Sequence, residues 1–256
     1  MGYLHSGHVS LVRAAREKSD IVVVSVFVNP AQFGPNEDFD RYPRDFEKDK
    51  KLLEDNSADY IFYPDRQEIY SDIFKTYVEV TELSQILEGE FRPIHFKGVT
   101  TVVAILFNIV KPHIAFFGQK DAQQAAIIKQ MVNDLHFGID INICPIIREE
   151  DGLAMSSRNI YLSPEERKTA LILYNTLQYG AKFFEDGEMN PQIILDNMRN
   201  QFSGIKNVTL DYVSIVNAYT FSEPLFIEQG NEYYILIAAR IGKTRLIDNM
   251  LITVKA

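Results

Sequence analysis

The chain has 256 residues, a net charge of -9 and one cysteine, with 46% hydrophobic and 24% charged residues. That length has room for one large domain or two modest ones. The acidic balance argues against a nucleic-acid surface, which would show a basic footprint. The lone cysteine excludes an intrachain disulfide framework and suits a reducing cytoplasm. The longest apolar runs, such as residues 21–28, are too short to span a bilayer, and the opening residues do not read as a signal peptide.

The first stretch, Met1-Gly2-Tyr3-Leu4-His5-Ser6-Gly7-His8, runs into Val9, Leu11, Val12, Ala14 and Ala15, apolar positions spaced along one helix face. His5 and His8 share a face in a helical first turn. A helix N-terminus carries unpaired N–H groups and partial positive charge, a natural seat for phosphate. Gly2 and Gly7 let a ligand approach the backbone. Two imidazoles there could donate to phosphate oxygens as charge moves in phosphoryl or nucleotidyl transfer. The same pair also suits a metal or a plain surface helix. Zinc, however, asks for three or four ligands, and His95, His113, His136 and Cys144 are remote in sequence.

Residues 21–28 are apolar and β-branched, the pattern of a buried parallel strand. Asn29-Pro30-Ala31-Gln32 leaves its C-terminal end, where open α/β sheets keep their ligands. Asn29 and Gln32 are therefore pocket candidates, although Asn-Pro also simply starts turns. Residues 38–55 read as a charged surface helix with an apolar stripe at Phe46, Leu52 and Leu53, and residues 60–63 as a short strand. Residues 77–80 read as a strand and residues 88–98 as a long loop whose Arg92, His95 and Lys97 suit an anionic substrate or plain solvation.

Residues 99–110 form a buried helix and residues 113–117 a strand that breaks at Gly118-Gln119-Lys120-Asp121 before a helix over 122–136. Lys120 is placed for phosphate. Asp121 and Gln124 project from the new helix's first turn, where Asp is also a common N-cap. A strand over 139–147 is followed by Arg148-Glu149-Glu150-Asp151-Gly152-Leu153-Ala154-Met155-Ser156-Ser157-Arg158-Asn159, read as a mobile loop able to clamp a triphosphate. Ser163-Pro164-Glu165-Glu166 opens a helix reaching about residue 184. A second helix over 191–202 and strands over 208–216, 232–239 and 245–254 finish the chain. Alternating β and α units followed by a separate α+β tail place a boundary near Ile147. The expected units are residues 1–147 and 148–256.

Taken together, M-G-x-L-H-x-G-H, F-V-N-P-x-Q-F, R-Y-P-R at 41–44, L-E-G at 87–89, R-P-x-H-F at 92–96, F-G-x-K-D-x-Q-Q at 117–124, D-G-L-A-M-S-S-R-N at 151–159 and R-L-I-D-N at 245–249 resemble one family. It is the pantothenate synthetases (pantoate–β-alanine ligases), within the nucleotidylyltransferase superfamily. The match runs in family order along almost the whole chain. The resemblance implies a Rossmann-like doubly wound parallel sheet with a smaller C-terminal α+β domain. It implies a cytoplasmic, homodimeric enzyme that uses ATP with Mg²⁺ and joins pantoate to β-alanine through a pantoyl adenylate, releasing AMP and pyrophosphate. By that resemblance His5 and His8 hold phosphates, with acid duty usually given to His8. Met1, Gly2, Gly7, Gly118, Gln119, Lys120, Asp121, Ile147, Met155, Ser156, Ser157 and Arg158 line the nucleotide. Gln32 and Gln124 bind pantoate, while Asn29, Tyr42 and Arg92 are further substrate candidates. The metal ligands stay open.

The sequence departs from that pattern in two places. The family motif continues upstream as P-T-M-G behind a central strand, whereas this sequence begins at the Met. The expectation is a start codon placed too far downstream, and the alternative is an inactive nucleotide- or pantoate-binding homologue. Gln119 stands where many relatives carry Glu, removing a charge beside Lys120. A nucleotidylyltransferase that stops at adenylation would need no pairing of Gln32 with Gln124. A tRNA-synthetase fragment would sit badly with the acidic balance.

Overall fold

A computed structural model describes residues 2–35 and 37–255. The chain divides into two compact units, Met1–Ile147 and Arg148–Ala256. The first unit is built from α1 (Ser6–Lys18), β1 (Val23–Ser25), α2 (Phe46–Glu54), β2 (Tyr60–Phe62), the short helices α3 (Arg66–Ile69) and α4 (Glu88–Phe91), α5 (His95–Val110), β3 (Ile114–Gly118), α6 (Ala122–Asp134) and β4 (Asp140–Cys144).

Its parallel strands come in two pairs. β1 pairs with β2 from Val23↔Tyr60 to Ser25↔Phe62, and β3 with β4 from Ile114↔Asp140 to Gly118↔Cys144. Among the described residues no ladder joins one pair to the other. The apolar run at 21–28 therefore forms a shorter strand than its composition suggests, and Ile21 and Val23 stay exposed. Asp59 fixes the entry to β1. Its Oδ2 accepts Val22 N–H at 2.7 Å and meets Arg16 of α1 at 2.7 Å, and these contacts hold the Asp59 carboxyl below the usual range.

The longer helices turn their apolar stripes to one of two cores. Leu4, Val12, Ala15, Val22, Val26 and Leu53 pack around α1 and β1. Phe96, Val99, Val103, Phe107, Ile127, Ile128 and Met131 pack between α5 and α6. Residues 77–80, expected as a strand, belong to no strand or helix. The hydroxyls of α5 take their backbone groups instead: Thr100 Oγ1 donates to the Val78 carbonyl at 2.6 Å, and Val78 N–H donates to Thr101 Oγ1 at 3.0 Å. Residues 88–98, expected as a loop, are mostly helical, because α4 and the first turn of α5 occupy them.

The second unit contains α7 (Pro164–Thr169), α8 (Leu171–Glu185), α9 (Pro191–Asn200) and the antiparallel sheet β5 (Val208–Asn217), β6 (Glu232–Ile241) and β7 (Thr244–Thr253), in the order β5-β6-β7. Ser163 and Glu166 form the capping box of α7, with Pro164 in its first turn. The single helix expected up to residue 184 is two helices meeting at the fully buried Ala170. α8 and α9 cover the sheet through Leu173, Leu177, Ile194, Met198, Val213, Ile235 and Ile237. A Cβ on Gly180 would stand 2.5 Å from Met198 Sδ, so glycine lets the two helices approach.

Candidate active site

His5 is the N-cap of α1 with extended backbone, and its Nδ1 accepts Gly7 N–H at 3.1 Å. His8 completes a capping box from the other side, its Nδ1 accepting His5 N–H at 3.3 Å. Capping boxes usually use a hydroxyl and a carboxylate; here two imidazoles serve. Because each Nδ1 accepts, each neutral ring carries its proton on Nε2. The rings lie 4.1 Å apart between centroids.

Burial lowers the pKa of His8 well below its ordinary value, and the nearby positive charge of Lys120 pushes it the same way. His8 is thus a neutral donor at pH 7, and Lys120 lies within electrostatic reach of it. The backbone ahead of His5 is held from α2: Asp49, 1% exposed, accepts Tyr3 N–H on Oδ2 at 2.7 Å and Leu4 N–H on Oδ1 at 2.6 Å. Gly2 and Tyr3 both have positive φ, +148° and +53°. Met1, named above with the nucleotide residues, lies outside the described residues.

Gly118 ends β3, and Gln119, Lys120 and Asp121 form a single 3₁₀ turn before α6. A Cβ on Gly118 would meet nothing within 4 Å, so the space beside it is open. Asp121 occupies the N-cap position of α6 without a side-chain cap bond. The capping explanation for this aspartate therefore does not apply. The two glutamines that follow differ in kind. Gln123 is buried and ties down residues 83–88, donating to the Leu83 and Ile86 carbonyls at 2.8 Å each and accepting Glu88 N–H at 3.0 Å. Gln124 is half-buried.

A second polar cluster gathers after β1. Asn29, 1% exposed, donates to Gln32 Oε1 at 3.2 Å and to the Gly98 carbonyl at 3.0 Å, and accepts Tyr70 OH at 2.8 Å. Burial pushes the Tyr70 hydroxyl up to about 12, so it stays a donor. A Cβ on Gly98 would lie 2.2 Å from the Ala31 carbonyl, so α5 reaches this cluster only through glycine. His95 Nδ1 donates to the Gln32 carbonyl at 3.0 Å. Arg92 meets Glu37, Nε to Oε1 at 2.9 Å, and also the Gln32 carbonyl at 3.3 Å. Lys97 pairs with Glu79 at 3.4 Å beside the Tyr77 ring. The basic residues expected to meet a substrate directly thus have protein partners, and Arg92, half-buried beside Gln32, is the one placed with the cluster. Tyr42 is buried, edge-on to Phe33.

In the second unit the loop around Met155 and Ser156 is tethered. Arg148 and Ala154 form an antiparallel bridge, and Ser156 Oγ accepts Arg158 N–H at 3.2 Å to start a 3₁₀ turn over Ser157–Tyr161. Arg148 makes a bidentate pair with Asp248, 2.7 and 3.0 Å, and stacks over Tyr174. Arg167 bridges Glu149 at 2.6 Å and Asp151 at 2.9 Å, holding the Asp151 carboxyl below its usual range. Asn159 joins the same network through Glu149 at 3.0 Å. Ile147 closes the first unit and is half-buried.

A cavity of about 160 Å³ in the first unit is lined by Gly2, Val28, Arg44, Phe46, Asp49 and Tyr63 among others, but not by His5, His8 or Lys120. It is therefore not the imidazole seat. Among the described residues no group of three His, Cys, Asp or Glu side chains could enclose a metal ion, and no helix is long and apolar enough to cross a membrane. Sequence reasoning missed Asp49, Glu37 and Gln123. Asp49 carried a readable signal, because it shares a helix face with Phe46 and Leu53.

The Pantoate-beta-alanine ligase family matches residues 1–251. The chain is 54% identical to the pantothenate synthetase of Thermotoga neapolitana, covering 98% of this chain and 89% of that protein. It is 52% identical to that of Acetivibrio thermocellus, covering 99% and 90%. The structure resembles the crystal structure of pantothenate synthetase from Thermus thermophilus, with a TM-score of 0.94 at 43% identity over 100% of this chain and 91% of that one. It also resembles the pantoate-beta-alanine ligase from Francisella tularensis complexed with beta-gamma ATP and beta-alanine, with a TM-score of 0.79 at 35% identity over 98% and 87%.

Proposed function

The chain belongs to the pantoate-beta-alanine ligase family, and from that premise we propose that it uses ATP to condense pantoate with β-alanine. In the first step a pantoate carboxylate oxygen attacks the α-phosphorus of ATP and pyrophosphate leaves. In the second the β-alanine amine attacks the acyl carbon and AMP leaves, a far better leaving group than oxide. The products are pantothenate, AMP and pyrophosphate.

The observation that carries the reading is the paired imidazole cap of α1. Both rings keep Nδ1 on the backbone, and so both carry an Nε2–H able to donate to phosphate oxygens. His8 works as a neutral hydrogen-bond donor rather than as a proton-carrying acid, since burial keeps it uncharged. Lys120 adds positive charge where negative charge moves between phosphates, and Gly2, Gly7, Gly118, Gln119 and Asp121 flank the nucleotide. Gln32 and Gln124 bind pantoate, and Asn29, Tyr42 and Arg92 shape that pocket. For the second unit, Met155, Ser156, Ser157 and Arg158 are proposed as nucleotide contacts, with Ile147 at the unit boundary. Positioning and charge stabilisation dominate, as phosphorus chemistry of this kind needs little covalent help.

Mg²⁺ would accompany ATP and offset the negative charge of its phosphates. A homodimer in the cytoplasm completes the proposal. Cys144, the single cysteine, is buried and its thiol pushed up by burial, which makes it inert in a reducing compartment. The test is AMP formation by the purified chain. It should require ATP, pantoate and β-alanine together. AMP formed without β-alanine, or none in the full mixture, overturns the proposal.

A further inference from the structure

We propose that Asp49 is a positioning residue for the phosphate-binding imidazoles, setting the backbone that presents His5 and His8; the inference rests on the nucleotide role given to those histidines above. The carboxylate sits on α2, 1% exposed, and spends one oxygen on each of two consecutive N–H groups, Tyr3 at 2.7 Å and Leu4 at 2.6 Å. Those residues lead directly into His5, the N-cap whose extended backbone starts α1.

The conformation Asp49 holds is an uncommon one. Tyr3 has φ +53°, a left-handed value uncommon for a residue with a Cβ, and Gly2 has φ +148°, a value suited to glycine. Successive N–H groups in such a turn point to the same side, and an acceptor there selects the turn over its extended alternatives. Lys48, the preceding residue of α2, stands over the Tyr3 ring with Nζ 4.6 Å from its centroid and packs the same turn from outside.

A carboxylate near a phosphate seat is electrostatically unfavourable for an anionic ligand. Asp49 is tolerable there because both oxygens are engaged by backbone donors, which argues for an orienting role rather than ligand contact. Removing the side chain would take this acceptor from two inward N–H groups and release the turn. The His5 cap and the Nδ1 contact of His8 would then lose their fixed geometry.

The test compares Asp49→Asn and Asp49→Ala with the parent chain through two readouts. The first is the ¹⁵N imidazole chemical shifts of His5 and His8, which need no substrate and no functional assignment. Both rings should move from a pure Nε2–H form to averaged tautomers in Asp49→Ala, and less in Asp49→Asn, which keeps one acceptor oxygen. The second is kinetics: kcat/KM for ATP in AMP formation should fall at least tenfold in Asp49→Ala. The reaction of supplied pantoyl adenylate with β-alanine should change less than twofold.

Unchanged histidine shifts in both variants overturn the positioning role, even if activity falls. Equal losses in both half-reactions, or unfolding of both variants, show that Asp49 supports the fold in general and also overturn it. Shifted histidines with unchanged ATP kinetics leave the functional reading of His5 and His8 as the part that fails.

Discussion

His8 turns its Nδ1 onto the main-chain N–H of His5 at 3.3 Å, and that contact fixes where its proton resides. The ring is neutral in the folded chain because burial depresses its pKa below the ordinary 6.5. The unfolded chain takes up this proton first as pH falls. Stability from His8 is therefore present above about pH 6.5 and lost on acidification toward the lowered folded value. Urea midpoints at pH 7 and pH 5.5 should fall more for the parent than for His8→Gln. Equal acid losses in the two proteins would show that His8 titrates normally.

His8→Ala and Lys120→Ala should each keep a native far-UV spectrum and lose at least about a hundredfold in the rate of AMP formation, the scale of a positioned electrostatic donor. Near-normal turnover in both would remove these residues from the mechanism.

The neighbouring glutamines separate binding from stability. Gln124→Ala should raise KM for pantoate at least tenfold and leave stability within about 0.5 kcal/mol, as expected for a side chain outside the core networks. Gln123→Ala should lower stability by at least about 1–3 kcal/mol, because the carbonyls of Leu83 and Ile86 and the N–H of Glu88 lose their partner. Urea unfolding and steady-state kinetics on the pair distinguish the roles, and reversed effects would exchange them.

Arg148→Met tests the tether beneath the serine–arginine loop. It takes the bidentate guanidinium from Asp248, whose side chain is 2% exposed, and breaking a buried pair this way costs about 3–5 kcal/mol. Chemical denaturation should register that loss. A change under about 1 kcal/mol, the scale of an exposed pair, would mean the pair is solvated in solution.

Much of the local geometry around the candidate site was readable because it depends on near neighbours in sequence. The H-x-G-H run, the glycine–lysine–aspartate turn and the capping box at Ser163 each depend on residues a few positions apart. The misses were long-range. Asp49 reaches back 45 residues to Leu4, and Glu37 pairs with Arg92 across 55. Local charge patterning placed Asp49 on a charged surface helix, and Glu37 lies just ahead of that helix with no local signal. The spacing of Phe46, Asp49 and Leu53 did place a carboxylate on the buried stripe of α2, a conflict between polarity and pattern that marks a partnered charge. Residues 77–80 had strand composition, but α5 supplied hydroxyl partners for their backbone, which no local propensity encodes. The strand inferred at 21–28 is parallel as expected but shorter and less buried: among the described residues it pairs with β2 alone, and Ile21 and Val23 are exposed.

The central claim is that pantoate is activated as an acyl adenylate, and its most direct test uses pantoate carrying ¹⁸O in its carboxylate. Attack on the α-phosphorus makes a carboxylate oxygen the bridge to AMP, and aminolysis leaves that oxygen on the nucleotide. Mass spectrometry of the products should find one ¹⁸O atom in each AMP formed and one in each pantothenate. Unlabelled AMP, or labelled inorganic phosphate alongside ADP, would contradict the account.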